Sequence, residues 1–368
     1  MRPGPMNMLE QGRHVPSGRV LIALAEALGT SVDAILGRRA VAVLTPASQD
    51  DDVAFYVDAA ADGGSAAAGD WPHAVAVPLS DDPPMDKAIR ARVDRVVRAY
   101  LTLEDLCGAQ KRAHIPLYLP FVLHDSGVEA LTQHVRQVLG IGQAVIFDYL
   151  ELLENAGLRV IFLPLPKPLQ SAAFYDAENA NAFLIVQDDL NVERQLFEVL
   201  KRLGSIFGHT RRLYGVVPGK EAAAVMDDAH AARKFAALFL MPAASVRATV
   251  AQLGLAPSEW SYELLLRIKH RFGVSAQAFL FRLGELGLIE EGLAATLRAR
   301  IERHYRATNY GEPDSARRVL SPNGRLGDLL LAAWRKPDAR LEALELDTQL
   351  RRLKLKGLSA NAMSETRG

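Results

Sequence analysis

Two short runs of β-branched and aromatic residues interrupt a chain whose apolar residues otherwise recur with helical spacing. The runs are residues 159–164 (RVIFLP), which a glycine precedes and a proline ends, and residues 182–187 (AFLIVQ). Runs of this length and composition are typical of β-strands, and a loop or hairpin around 176–181 would join them. The chain is therefore predicted to be α+β and mostly helical, with a small sheet packed among many helices.

The segment before the first strand shows three helical patterns. Apolar residues three or four apart, with arginines on the opposite face, predict a helix over 86–106. A second helix is predicted over about 126–139, with Asp125 or Ser126 as its N-cap. A third is predicted over about 143–156. We expect these helices to pack against the sheet.

Composition narrows the class of protein. The 368 residues predict two or three domains. Equal numbers of basic and acidic side chains, 43 of each, argue against a protein coated in basic surface, although a local nucleic-acid site stays open. The single cysteine, Cys107, excludes a disulfide framework and multi-cysteine metal sites. Apolar runs stop short of the ~20 residues of a membrane span, so we expect a cytoplasmic protein without a membrane partner.

Charge is distributed unevenly along the chain. Residues 41–86 contain nine aspartates and no lysine or arginine, with a stretch rich in Gly, Ser and Ala at 61–69. Such a composition buries little apolar surface, so it predicts a flexible acidic linker. Apolar stretches at 53–57 and 74–79 leave open a small ordered hairpin. At the other end, 337–368 is predicted to be a basic amphipathic tail that docks on a partner or caps the domain.

Residues 6–36 contain two small amphipathic helical patterns, and they resemble the second half of a Cro/CI-type (XRE) helix-turn-helix domain. The resemblance assigns residues 1–40 to a partial helix-turn-helix. It implies that Asn7 and Gln11 lie near the end of the recognition helix, where amides read base edges, and that Arg13 and His14 lie beside the phosphate backbone. The matching positions are Leu9, Glu10, Gly12, Arg13, Pro16, Ser17, Leu21, Leu24, Ala25, Ala27, Leu28, Gly29, Val32, Asp33, Ile35 and Leu36.

The first two helices of the XRE family would lie upstream of Met6, where only MRPGP remains. A helix-turn-helix without its first helix lacks a core, so we expect either a start codon assigned too late or a decayed DNA-binding domain. DNA is an expected partner if the missing helices are encoded upstream. A reader of this type usually acts as a homodimer on a two-fold site.

A second resemblance spans roughly residues 112–290 and is to the ImmA/IrrE metallopeptidase-like family, which implies a zincin-like domain. It assigns 87–242 to that domain. The motifs that carry it occur in the family's order: GLRVIFLPLP at 157–166, FLIV at 183–186, ERQLF at 193–197 and FAALFLMP at 235–242. Members of this family commonly join such a domain to an XRE helix-turn-helix.

In that family a helix carries His-Glu-x-x-His, whose two histidines reach one Zn²⁺ while the glutamate activates water, and a later glutamate is the third ligand. The resemblance places Lys201 and Ser205 at the histidine positions, Arg202 at the catalytic glutamate and Ala229 at the third ligand. Lysine repels Zn²⁺, and serine and alanine cannot replace its ligands. We therefore expect a pseudo-peptidase with no catalytic residues, no metal and no cofactor.

For the residues around these positions, both a structural and a functional interpretation stay open. Lys201 and Arg202 are a solvated basic pair or an anion site in the vacated cleft. Glu198 is a paired carboxylate or a base. Four nearby residues are either a shifted metal site or polar side chains exposed at helix ends: His209, Asp227, Asp228 and His230.

Residues 243–336 are predicted to be a helical C-terminal module. Its apolar spacing is interpreted as core packing, as a second helix-turn-helix with Lys269, His270 and Arg271 at a basic edge, or as an apolar cavity for an effector.

Taken together, these patterns predict a DNA-binding transcriptional regulator of the XRE type. Its non-catalytic peptidase-like domain would sense a small-molecule effector or mediate dimerisation. The alternatives are a zinc endopeptidase that cleaves a repressor and an interaction protein that does not bind DNA.

Overall fold

The computed structural model describes residues 74–113, 121, 123–213, 226–315 and 323–336. The predicted DNA contacts Asn7, Gln11, Arg13 and His14 lie outside the described residues, as do most of the predicted linker and the tail 337–368. All described residues belong to one compact unit of the chain.

Helices dominate the described part of the chain, which also contains four strands, three of them consecutive. The strands are β1 (Val75–Ala76), β2 (Arg159–Leu163), β3 (Ser171–Asp176) and β4 (Asn181–Gln187). The helices are α1 (Lys87–Cys107), α2 (Asp125–Val138), α3 (Tyr149–Asn155), α4 (Val192–Leu213), α5 (Asp228–Leu240), α6 (Ala243–Gln252), α7 (Tyr262–Phe272), α8 (Ala276–Glu285), α9 (Glu291–Ala307) and α10 (Gly324–Trp334).

The four strands form one mixed sheet in the order β1-β3-β4-β2. β2 runs parallel to β4, with Ile161 opposite Ile185. β3 pairs antiparallel with β4 on one side and with β1 on the other. The predicted α+β class and both predicted strands are confirmed, and the connection around 176–181 is a hairpin turn. The sequence did not predict β3, because SAAFYD lacks the β-branched residues that mark its neighbours.

Side chains of the sheet alternate between two hydrophobic clusters, as the two-residue period of a strand requires. In β2, Val160 and Phe162 pack in the larger cluster with helices α2 to α9. Ile161 and Leu163 pack in the smaller cluster with α1 and α10. Because both faces are covered, β2 and β3 are buried along their whole length and β4 is buried after Asn181, which explains the nearly continuous apolar sequence of β2 and β4.

The predicted helix over 86–106 is confirmed: Asp86 caps α1 by accepting the Ile89 amide, and Gly108 ends it in the left-handed conformation. At α2, the predicted cap is wrong. His124 Nδ1 accepts the Gly127 amide at 3.0 Å, and Asp125 is the first helical residue.

The predicted start of the third helix, at residue 143, is also wrong. The buried Arg136 donates to the carbonyls of Gly142 and Ala144, which holds that stretch as a loop. The helix begins only where the Asp148 carboxylate can accept the amides of Leu150 and Glu151.

The last residues of the predicted linker include the apolar stretch at 74–79, for which an ordered hairpin stayed open, and in the structure this stretch is packed. Residues 74–82, hereafter the strap, add β1 to the sheet, and the Val77 amide donates to the Ala173 carbonyl at 2.9 Å. Ala74, Val77 and Leu79 are buried. Their apolar contacts offset the ordering cost that the acidic composition of the segment leads one to expect.

The helices within the predicted C-terminal module, 243–336, pack in two different hydrophobic clusters. Helices α6 to α9 share the larger hydrophobic cluster with α4 and α5. α10 packs instead on α1 across the sheet, where Leu326, Leu330 and Ala333 are buried. The Cys107 thiol contacts the Leu329 carbonyl in this layer, at 3.3 Å.

Within the described ranges, no single helix is long and apolar enough to span a membrane. One bent pair, α5 with α6, passes that test of length and composition only when both helices are taken together.

Candidate functional site

Helices α4 and α5 pack closely on one face of the sheet and carry the four positions singled out by sequence. A methyl group added at Gly204 would lie 3.1 Å from the Ala232 Cα, so the two backbones approach closely at this point. Lys201 and Ser205 are four residues apart on α4 and therefore share one helical face. Ala229 lies in the first turn of α5. The structure thus brings the four positions to one helix pair.

Arg202 is the most constrained side chain of this site. It is 1 % exposed, and its guanidinium holds both carboxylate oxygens of Asp82 at 2.5 and 2.6 Å. It also donates to the hydroxyl and the carbonyl of Ser171, each at 2.7 Å. A bidentate arginine–carboxylate pair is among the strongest charge-assisted contacts in proteins. The cation is therefore neutralised and fixed against β3.

The strap supplies the anion of this pair. Burial opposes ionisation of Asp82, but hydrogen bonding and charge from Arg202, the Leu79 amide and the charge of Lys201 outweigh burial and lower the pKa of Asp82. Its carboxylate therefore stays ionised at neutral pH and matches the arginine.

Lys201 is also paired. Its ammonium contacts the Glu198 carboxylate at 2.7 Å, and Glu198 in turn accepts the Ser171 hydroxyl. Glu198 is 4 % exposed. The interpretation of Glu198 as a paired carboxylate is thus the one that fits its contacts, and neither Lys201 nor Arg202 offers an uncompensated charge to an anion.

The two remaining positions are small and buried. The Ser205 hydroxyl donates to the Arg202 carbonyl one turn back, at 2.7 Å. Ala229 forms a small apolar cluster with Leu79 of the strap and with Ala232. The strap therefore fills the space in front of Ala229.

These residues do not fit a zinc ion. Among the residues that the structure describes, no three His, Cys, Asp or Glu side chains are grouped so that they could hold a metal. Asp227 caps α5 by accepting the His230 amide, which is a structural use of one residue of the proposed shifted site. At the positions that the resemblance assigns to the motif, Arg202 is a buried guanidinium and Ala229 a buried alkyl side chain, neither of which is a zinc ligand.

A cleft of about 1030 Å³ opens beside the site, between the strap, α4, α5, α8 and α9. Phe197, Met241 and Phe281 contribute apolar surface to it, and Lys201 and Arg202 lie at its edge. Their ion pairs with Glu198 and Asp82 make the interpretation as an anion site unsupported by the contacts.

Two of the three residues considered as the basic edge of a second helix-turn-helix are paired with carboxylates. Lys269 is fully buried, and its ammonium lies 3.2 Å from Glu193 and 3.0 Å from Glu312. His270 contacts Asp314 at 2.9 Å. The surrounding apolar residues form core, with Phe272 stacked on Phe279, so core packing is the correct interpretation of this spacing.

The sequence indicated α4, α5 and the apolar stretch 74–79 of the strap, but not the pairing of Asp82 with Arg202. Asp82 is separated from Arg202 by 120 positions, and the composition of the segment around Asp82 indicated a linker. The one available signal was Arg202 itself, since an arginine among buried leucines requires a carboxylate partner. Nothing local identified Asp82 as that partner.

A small mixed sheet with helices on both faces, and with α4 and α5 at the site, defines an α+β domain of the zincin-like kind. Residues 153–284 match the family model of the IrrE N-terminal-like domain, Peptidase_M78. The chain therefore contains an ImmA/IrrE-like domain, which extends from α3 into α8 and beyond the predicted boundary at 242. The resembling head at 6–36 lies outside the matched range. A search of curated proteins finds no match.

Proposed function

We propose that this chain is a transcriptional regulator of the XRE type whose ImmA/IrrE-like domain no longer hydrolyses peptides. The proposal that the domain does not hydrolyse peptides rests on the Arg202–Asp82 pair. Hydrolysis by the family's chemistry needs a carboxylate that activates a metal-bound water, at the position that Arg202 occupies. A buried arginine held by Asp82 and Ser171 supplies neither a base nor a ligand.

The proposal that the chain binds DNA rests on the sequence of residues 1–40. Asn7 and Gln11 would read base edges, and Arg13 and His14 would hold phosphates. The ImmA/IrrE-like match supports this proposal indirectly, because such domains are commonly joined to an XRE head. The regulator would act in the cytoplasm.

The peptidase-like domain would then bind a small-molecule effector or hold two copies of the chain together. The cleft beside α4 supports the first role, because it joins apolar surface from Phe197 and Met241 to polar side chains along its edge. Homodimerisation would match the two-fold symmetry of an operator.

A hydrolysis assay separates the pseudo-peptidase from the zinc endopeptidase. The full chain is incubated with a mixed peptide library and added Zn²⁺, and products are identified by mass spectrometry. We expect no cleavage beyond the buffer control. Cleavage that a chelator abolishes, and that persists in a Cys107→Ser control, would overturn the proposal.

A DNA selection tests the other half. The chain is expressed from the longest in-frame reading of its gene and mixed with fragmented genomic DNA, and bound fragments are sequenced. We expect enrichment of a site with two-fold symmetry, and an Asn7→Ala, Arg13→Ala variant should lose it. Failure to enrich any site would favour the interaction protein that does not bind DNA.

A further inference from the structure

The strap is attached to the domain as an extended peptide would be. Val75 and Ala76 pair antiparallel with Tyr175 and Phe174, and the Val77 amide extends the ladder. β1 adds a strand to the edge of β3, which is the contact that a sheet edge makes with an extended ligand. The ladder is short, and Val75 is 55 % exposed.

Two side chains of the strap fit specific places. Leu79 is 5 % exposed and packs against Ala229 and Ala232. Three residues later, Asp82 meets Arg202 in a bidentate pair. Side-chain pockets beside a main-chain ladder are what give strand-adding ligands their specificity.

A third contact lies nearer the surface. Asp81 pairs with Arg233, and both side chains are about half exposed. The domain thus presents two arginines, one buried and one exposed, to two successive aspartates. The recognised pattern is an apolar residue followed at the second and third positions by acids, Leu-x-Asp-Asp.

The strap is followed by Pro83 and Pro84 before α1, its Ala74 is buried in the hydrophobic cluster that includes α1, and the Arg90 side chain donates to the Ala74 carbonyl at 3.5 Å. Its buried side chains are few: Ala74, Val77 and Leu79. Its release therefore exposes little apolar area, although it uncovers Arg202.

We propose that the edge of β3, the small pocket at Ala229 and Arg202 form a peptide-binding site that the strap occupies in cis. An extended segment of a partner protein with the pattern Leu-x-Asp-Asp binds the same site in trans and displaces the strap. The positions that the resemblance assigns to zinc binding then serve to recognise a peptide. This proposal rests on the non-catalytic site of the proposed function.

The test uses a fluorescein-labelled peptide of residues 74–82 (AVAVPLSDD) and two full chains, the native one and Asp82→Ala. In the native chain the strap competes at an effective concentration in the millimolar range, so the peptide binds weakly. In the Asp82→Ala chain the strap has lost its ion pair, and fluorescence polarisation should show binding at least about tenfold tighter. A peptide with Asp82→Ala should bind that chain about thirtyfold more weakly, because it leaves Arg202 unpaired.

Equal binding of the two peptides, or no binding of the native peptide to either chain at about 1 mM, would overturn the proposal. Should Asp82→Ala fail to fold, amide exchange of the native chain decides instead. Added unlabelled peptide should speed exchange in the strap and leave β4 unchanged, and identical exchange with and without peptide contradicts displacement. Mass spectra of the same samples report on the proposed function separately, since a cleaved peptide refutes the pseudo-peptidase without refuting binding.

Discussion

The two edges of the sheet are covered in different ways. At the β3 edge the strap adds two paired residues and one buried ion pair. At the β2 edge the Asn323 side chain takes the place of a strand, since its Oδ1 accepts the Phe162 amide at 2.9 Å. α10 then follows and buries Leu326, Leu329, Leu330 and Ala333 in the smaller hydrophobic cluster.

Both edges also use a buried arginine, but in different surroundings. At the β2 side, Glu104 joins Arg159 at 2.6 Å and Arg325 at 2.9 Å, and its side chain is 1 % exposed. At the strap, the Asp82 side chain is 14 % exposed. An open edge invites pairing with other chains, so both need a cover. The cover of β2 is therefore part of the core, whereas the strap is suited to local opening.

The largest loss of stability is expected from a substitution at the β2 edge. Glu104→Gln leaves Arg159 and Arg325 without their carboxylate in a buried site. The free energy of unfolding should fall by about 3–5 kcal/mol, measured by urea denaturation. Asp105→Asn, one residue along α1, is the matched control and should change it by less than about 0.5 kcal/mol. Equal effects would mean that the cluster is not a buried network.

The next largest effect is a pH dependence at the start of α10. Burial raises the pKa of Glu154 to about 7, although its carboxylate accepts the Arg325 amide. The folded chain therefore binds this proton more tightly than the unfolded chain, and stability falls as pH rises from about 4.5 to about 7.

Glu154→Gln removes that dependence while keeping an acceptor for the Arg325 amide. At pH 8 the variant should be more stable than the native chain by about 3 kcal/mol, with little difference at pH 4, in urea titrations. Glu151→Gln on the exposed side of α3 is the control. If the difference in the free energy of unfolding between the native chain and Glu154→Gln stayed constant from pH 5 to 8, the raised pKa of Glu154 would be refuted.

The strap should respond to pH in the opposite sense and more weakly. Because Arg202 and its neighbours lower the pKa of Asp82 despite burial, its contribution is complete above about pH 4 and is lost as pH falls through the lowered value. Asp82→Asn should cost about 1–2 kcal/mol at pH 7, less than a fully buried pair, because opening of the strap admits water to Arg202. A cost as large as that of Glu104→Gln would show that the two edges are held alike.

The smallest effect is expected at the outer side of the strap. Val75 is 55 % exposed, so Val75→Thr should change the free energy of unfolding by less than about 0.5 kcal/mol. The same change at the buried Val77 should cost more, because it places a hydroxyl in an apolar site. Thermal unfolding of the two variants, side by side, measures the difference.

The two edges also differ in how much of each could be predicted from the sequence. The strands β2 and β4 and the helix α1 followed from local patterns, because burial on both faces or on one stripe leaves a periodic trace. β1 left only the apolar stretch at 74–79, since two residues of ladder inside an acidic segment have no period. The resemblance located Lys201, Arg202, Ser205 and Ala229, but Asp82 was out of reach because its partner is distant in sequence.

We propose that the ImmA/IrrE-like domain holds the Arg202–Asp82 ion pair where members of the family bind zinc. Elemental analysis of the full chain, loaded with Zn²⁺ and dialysed at neutral pH, tests it. We expect far less than one equivalent of zinc per chain, unchanged by Asp82→Asn. One equivalent retained through dialysis, and lost on substitution of Ser205 or Glu198, would contradict the claim.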